Sequence, residues 1–208
     1  SNPRYTFGVY PLSRRASSLK TMAIKIFIDQ GHNPSGVNAG AEAFGLREQD
    51  VNYNVGIYLR DFLNADSRFE ARTSRNTPDE TLGFNNNSSL AARVEMANSW
   101  PADYFISIHT NANVNPAING TEGYIFQFNT QAHWLAQHIV QAIVDYVGTN
   151  YNGIRTANFY VLRNTTMPSA LIELAYITNW ANNQLLLNNQ YDFAWAIYQG
   201  LLRYFGFQ

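Results

Sequence analysis

Two short β-prone runs in this chain stop on or beside a histidine. Tyr104-Phe105-Ile106-Ser107-Ile108 runs into His109 and then into the small polar stretch Thr110-Asn111-Ala112-Asn113. Lys25-Ile26-Phe27-Ile28-Asp29 breaks at Gln30-Gly31-His32-Asn33-Pro34-Ser35-Gly36, a turn-rich segment. A buried strand that ends on an imidazole delivers it to the edge of a sheet, where open α/β folds keep their ligands. One such histidine reads as a satisfied core residue. Two at neighbouring strand ends begin to resemble a zinc site, because neutral imidazole is a common zinc ligand. The chain has no cysteine. Thiolate ligation and a disulfide scaffold are therefore excluded, and any further ligand must be a carboxylate.

Two carboxylates stand out. Glu48 lies in Gly45-Leu46-Arg47-Glu48-Gln49-Asp50, ahead of Val51, Val55, Leu59, Phe62 and Leu63 at helical spacing. It falls just before or in the first turn of that helix, where a carboxylate facing the dipole is also common without any metal. Glu173 interrupts the apolar run Met167 to Ala175. Buried there, it must reach solvent, meet a cation such as Arg163, or stay protonated. Two histidines and one carboxylate with a fourth position open make a catalytic zinc site, and a carboxylate off the metal can move protons. The His-Glu-x-x-His helix of many zinc peptidases is absent. His133 and His138 lie five residues apart in a helix expected from Thr130, the wrong spacing for one helical face, and read as structural or solvated. Arg93 reads as a solvated helix charge.

The elements that must position these residues follow from the pattern. Strands are expected at 23–29, 69–73, 104–108, 124–128, near 154–156 and at 167–175. Helices are expected from about 51 to 63, from Ser89 to Asn98, from Thr130, and from about Asp192 to Phe205. This alternation predicts an α/β fold: a single-domain three-layer sandwich with a mostly parallel, twisted sheet flanked by helices. A length of 208 residues suits one such domain. A net charge of −1 with 14% charged residues implies neither nucleic acid nor an anionic membrane as partner. The longest apolar runs are far short of a membrane span. Thirteen Tyr, thirteen Phe and abundant Asn suit sugars and peptides better than polyanions. Residues 1–21 carry Arg4, Arg14, Arg15 and Lys20 with no periodic apolar face and no signal-peptide core. They are expected to be a leader or basic arm, with 22–208 as the domain.

At these positions the chain resembles the zinc-dependent N-acetylmuramoyl-L-alanine amidases of the amidase 3 type, as found in autolysins, spore-cortex amidases and phage endolysins. The resemblance rests on Ile28-Asp29-Gln30-Gly31-His32, Gly45-Leu46-Arg47-Glu48-Gln49-Asp50, Ser89-Leu90-x-x-Arg93 with Ala97-Asn98, Ser107-Ile108-His109-Thr110-Asn111-Ala112, and Met167-Pro168-Ser169-x-Leu171-Ile172-Glu173. It spans about Ile24 to Phe205. Gln30 stands where the family usually has Pro, and Asn33 replaces a common Gly. The resemblance implies a phosphorylase/hydrolase-like sandwich and one zinc ion per chain on His32, Glu48 and His109. It makes Glu173 the acid/base and peptidoglycan the substrate, cut between N-acetylmuramic acid and L-alanine. It suggests Asn111 and Arg163 as substrate or oxyanion contacts. It implies action at the bacterial cell wall, Gram-positive walls included, by a secreted or phage-released enzyme, with an activating partner as one route of control.

Some family members carry an inserted helix that covers the zinc. Gly120-Thr121-Glu122-Gly123 leads straight into the next strand and leaves no room for one, so an open site is expected, with the leader as the one segment long enough to plug it. Two rivals remain at this stage: another zinc peptidoglycan peptidase, such as a carboxypeptidase, and a non-catalytic wall-binding module. The scarcity of Lys, with only Lys20 and Lys25, speaks against the first, and the complete site against the second.

Overall fold

A computed structural model describes residues 23–208. The expected leader lies outside the described residues, and so does Met22. The chain opens with β1 (Ile24–Gln30), a two-stranded hairpin of β2 (Glu42–Ala43) and β3 (Leu46–Arg47), and α1 (Glu48–Asn64). β4 (Phe69–Thr73), α2 (Asn86–Ser99), β5 (Tyr104–Asn111) and β6 (Thr121–Ile125) follow. Then come α3 (Gln131–Val147), β7 (Tyr151–Thr156), the single turn α4 (Tyr160–Arg163), β8 (Ser169–Tyr176), α5 (Trp180–Asn188) and α6 (Gln190–Phe205).

Six strands form one sheet in the order β4-β1-β5-β8-β6-β7. The first four run parallel. β6 turns back antiparallel to β8, and β7 follows β6 in parallel. The expected mostly parallel sheet is present, with one antiparallel junction. β1 and β5 are neighbours, so their carboxyl ends bring the two histidine segments together.

The sheet's two faces are covered unequally. On one face α1 lays down Val51, Val55, Leu59 and Leu63, all fully buried, and α3 and α6 add Ile139, Ile143, Phe193 and Ile197. Each such side chain contributes about 1.5–3 kcal/mol by leaving water. On the other face a smaller cluster joins Phe27 and Phe105, stacked at 5.8 Å, to Val94, Ala97 and Leu171. Among the described residues, α2 and the short α4 cover that side.

Two expectations need correction, and two elements were not foreseen. β6 ends at Ile125, not at Phe128, because the chain must turn before Thr130, whose hydroxyl caps α3; Asn129 sits at φ 59° in that turn. α2 begins at Asn86, not Ser89: Asn85 accepts from the Ser88 amide while the Ser88 hydroxyl accepts from the Asn85 amide. α5 was not foreseen, since its Asn-rich sequence shows no clear apolar stripe. The β2–β3 hairpin is too short to leave a periodic signal. Among the described residues, no helix is long and apolar enough to cross a membrane.

Candidate metal centre

His109 lies in β5 with Glu173 of β8 as its register partner. His32 stands two residues past β1, and Glu48 is the first residue of α1. The structure therefore gathers four residues that are spread over 142 positions of sequence, from 32 to 173. One donor atom from each of His32, Glu48 and His109 lies within 4.8 Å of the others, and these three form the metal-competent group found among the described residues.

The fit to a tetrahedral ion is testable from distances alone. Glu48 Oε2 lies 3.3 Å from His32 Nε2 and 3.3 Å from His109 Nδ1. Two ligands each about 2.0–2.1 Å from a tetrahedral zinc stand about 3.3–3.4 Å apart. The donor set, two imidazoles and one carboxylate, also matches zinc chemistry, so the residues present fit the ion. His32 Nδ1 faces the backbone oxygen of Asn38 at 3.2 Å and its Oδ1 at 3.0 Å. Donation from Nδ1 leaves the Nε2 lone pair aimed at the cluster.

Backbone geometry aims the ligands. His32 adopts φ 72°, a left-handed conformation uncommon for a residue with a side chain. Two guanidinium groups hold it there: Arg93 Nη2 donates to the His32 carbonyl at 2.8 Å and Arg75 Nη1 at 3.3 Å. Gly31 is required by crowding, because a Cβ there would meet the His109 ring at 2.4 Å. Arg93 is thus no solvated helix charge. It is fully buried and paired with Asp29 at 2.9 Å. The two departures from the family pattern brace the same loop. Gln30 Oε1 accepts from the Arg75 amide at 2.7 Å, and Asn33 Oδ1 accepts from the Leu82 amide at 3.0 Å.

The two carboxylates sit in opposite environments. Glu48 Oε2 accepts from the Thr110 amide at 3.0 Å, and Oε1 from the Ala41 amide at 3.0 Å. Burial works against its ionisation, but hydrogen bonds and charge from His109 and His32 outweigh it and hold the carboxyl well below its ordinary range. Burial lowers the tendency of His32 to protonate, and Glu48 beside it more than reverses that. Glu173 Oε2 is buried with no hydrogen-bond partner. Burial first, then the negative charges of Glu48 and Glu122, push its carboxyl well above the ordinary value. Of the three options open to Glu173, meeting a cation is ruled out for Arg163, which is exposed and donates to Asn158 Oδ1 at 2.7 Å.

Glu122 was missed by sequence reasoning. It is fully buried on β6 as the antiparallel register partner of Glu173. Tyr176 and Tyr124 donate their hydroxyls to it at 2.5 and 2.6 Å. Burial and that bond push the Tyr176 hydroxyl up to about 12, so it remains a donor at neutral pH. A carboxylate inside a β-prone run, the feature that singled out Glu173, was the available signal.

A cleft of about 300 Å³ reaches the cluster, lined by His32, His109 and Glu173 on its floor and by Leu90, Phe159 and Tyr160 on its walls. The His32 and His109 side chains keep 22% and 17% of their surface exposed. Asn111 closes β5, with its Oδ1 accepting from the Ala112 amide at 3.0 Å. His133 and His138 stay outside the cluster. The first stacks on Trp134 at 4.7 Å, and the second faces the Trp134 carbonyl at 2.7 Å.

Comparison with known proteins gives the same family from several directions. The chain is 35% identical over 196 residues to the N-acetylmuramoyl-L-alanine amidase LytC of Bacillus subtilis. That match covers 91% of this chain but only 38% of LytC, so the chain spans little over a third of that relative. A crystal structure of an N-acetylmuramoyl-L-alanine amidase from Clostridium difficile 630 is 32% identical with a TM-score of 0.79, covering 89% of this chain and 98% of that one. The CwlD amidase of Clostridioides difficile, solved in complex with the GerS lipoprotein, is 26% identical with a TM-score of 0.80, covering 89% of this chain and all of that one. The family model described as N-acetylmuramoyl-L-alanine amidase matches residues 26–203, and with the site and sheet in register behind that match, the chain belongs to the amidase 3 family.

Proposed function

We propose that this chain hydrolyses the amide bond between N-acetylmuramic acid and L-alanine in peptidoglycan, with zinc held by His32, Glu48 and His109 and with Glu173 as acid/base. The observation that carries the reading is the contrast at one sheet edge: two imidazoles converge on an ionised carboxylate, beside a second carboxyl whose Oε2 has no partner. When bound, zinc supplies Lewis acidity that acidifies water towards a pKa of about 7 and polarises an amide carbonyl.

The protein's own groups do the rest. Asn38 fixes the His32 ring, and the Thr110 and Ala41 amides fix Glu48, so the donor set is built before substrate arrives. Glu173 accepts a proton from the attacking water and passes it to the departing alanine nitrogen, a role suited to a carboxyl whose affinity for protons is raised. Leu90, Phe159 and Tyr160 line the cleft beside both histidines and offer apolar contact to a bound substrate. Asn111 at the end of β5 and Arg163 beside Tyr160 are the groups we assign to substrate contact. The partial exposure of both imidazoles supports an open site.

This reading places the protein's action at the bacterial cell wall, Gram-positive walls among them, with 22–208 as the catalytic domain. The complex of CwlD with the GerS lipoprotein supports the idea that such a domain can take a protein partner. The test is product analysis on purified Gram-positive peptidoglycan. New L-alanine amino termini on unshortened stem peptides, abolished by a chelator and restored by zinc, are expected. Shortened stem peptides would replace the reading with a carboxypeptidase. Wall binding without any new amine would replace it with a non-catalytic module.

A further inference from the structure

We propose that Phe44 and Trp180, on the segments that lead into Glu48 and follow β8, form a sugar-stacking platform that takes the neutral glycan strand of the substrate. This rests on the amidase reading and extends it from the scissile bond to the polymer that carries it. Both rings are 59% exposed, yet they touch each other edge to face at 5.2 Å and 82°. An edge-to-face pair so exposed keeps an open π face, the surface on which the C–H face of a pyranose stacks.

Phe44 stands where an aromatic residue is disfavoured. It occupies the first position of the two-residue turn between β2 and β3, at φ 51°, followed by Gly45 at φ 74°. A turn with both φ angles positive favours Asn-Gly, and a bulky side chain there is an outlier. Neither burial nor turn geometry accounts for an exposed aromatic at that position, whereas ligand contact does.

The platform is tied to the site. The hairpin leads directly into Glu48, whose amide donates to the Ala41 carbonyl at 2.9 Å. Phe44 is three residues from Ala41, so their Cα atoms lie at most about 11 Å apart. On the other side, the Ile177 amide donates to the Asn111 carbonyl at 2.7 Å and Asn179 Nδ2 to the Pro116 carbonyl at 2.9 Å, anchoring the start of α5 at the end of β5. Asn183 Nδ2 joins the two halves by donating to the Ala43 carbonyl at 3.1 Å and the Ile177 carbonyl at 2.9 Å. Local charge favours a neutral ligand over a wall polyanion: the cation of this hairpin, Arg47, is paired with Asp50 at 3.7 Å.

The experiment compares two substrates, polymeric peptidoglycan and a muramoyl peptide with a single sugar, using the full chain and the variants Phe44→Asn, Trp180→Ala and Phe44→Trp. Phe44→Asn and Trp180→Ala are expected to raise KM on the polymer about three- to tenfold, the range of one aromatic contact. kcat and the single-sugar KM should stay unchanged, and Phe44→Trp should preserve wild-type behaviour. Phe44→Asn should also melt no lower than wild type, since it relieves the turn. Equal KM on the polymer for all variants would overturn the platform, as would parallel losses on both substrates. A lowered melting point in Phe44→Asn would make the pair structural. Loss of self-association without loss of polymer affinity would assign it to a contact between copies. If wild type cleaves neither substrate, the amidase reading fails separately. The platform is then judged by tetra-N-acetylchitotetraose, which should shift the Trp180 indole resonance in wild type and fail to do so in Phe44→Asn.

Discussion

Two buried polar regions meet at the carboxyl edge of the sheet, and they are finished differently. Beneath the loop that carries His32, the charged groups are paired, while Gln49 Oε1 and Asn52 Oδ1, on side chains that donate to the loop, have no partner. Asp29 Oδ1 takes Arg93 at 2.9 Å, Asp29 Oδ2 takes the Ser107 hydroxyl at 2.7 Å, and Arg75 spends its terminal nitrogens on the carbonyls of His32, Gln49 and Pro78. The two arginines leave only Nε without a partner. On β8, Glu173 Oε2 has none at all. Burial alone would raise the Asp29 carboxyl, and the Arg93 guanidinium, His109 and the Ser107 hydroxyl together outweigh it and lower it. The lower region is a closed brace. The upper one keeps a buried carboxyl oxygen unsatisfied, at a cost to stability that the brace helps to offset.

Breaking the brace gives the largest expected effect on stability. Arg93→Ala strands the buried Asp29 charge and should cost about 3–5 kcal/mol in urea unfolding. It should also loosen the His32 loop, so metal affinity should fall with stability. Unchanged stability would mean that the brace is ornamental.

Closing the open region should do the reverse. In metal-free protein at neutral pH, Glu173→Gln replaces a carboxyl that resists ionisation with a neutral amide, and should stabilise by about 1–3 kcal/mol. The sign depends on pH. Because the folded Glu173 carboxyl holds its proton more tightly than the ordinary value of 4.5, its stabilising contribution is complete below pH 4.5. That contribution is lost as pH rises towards the folded value. The gap between Glu173→Gln and wild type should therefore be small in acid and widen towards neutrality, as read from urea midpoints across that range. A gap independent of pH would contradict the assigned protonation.

The smallest effect is expected at Arg163. Its guanidinium donates to Asn158 on the exposed rim, so Arg163→Ala should change stability by less than about 0.5 kcal/mol. Any loss should appear in KM. A large stability loss would return Arg163 to the structural role once considered for it as the partner of Glu173.

The division between legible and hidden residues follows sequence distance. His32 and His109 were legible because a β-prone run cut off by turn residues announces a strand end. The position of Glu48 was legible because the apolar spacing from Val51 fixes the helix start, but that spacing alone favoured a helix-dipole carboxylate, and its place in the site came from the family resemblance. Arg93 was not, since its partner Asp29 lies 64 positions away and nothing local distinguishes a buried helix cation from a solvated one. Glu122 carried the same local signal as Glu173, a carboxylate in a β-prone run, but its partnership comes from the antiparallel pairing of β6 with β8. The aromatic run Tyr124 to Phe128 misplaced a strand, because β-propensity does not register where a helix cap forces a turn.

The central claim is that His32, Glu48 and His109 hold zinc while Glu173 does chemistry without touching it. Zinc content and release of L-alanine amines from purified cell walls, measured together on wild type and Glu173→Ala, test it most directly. Wild type should carry one zinc and cut, and Glu173→Ala should carry the same zinc and lose activity by about 10²-fold or more. Loss of zinc in Glu173→Ala would make Glu173 a ligand and contradict the account.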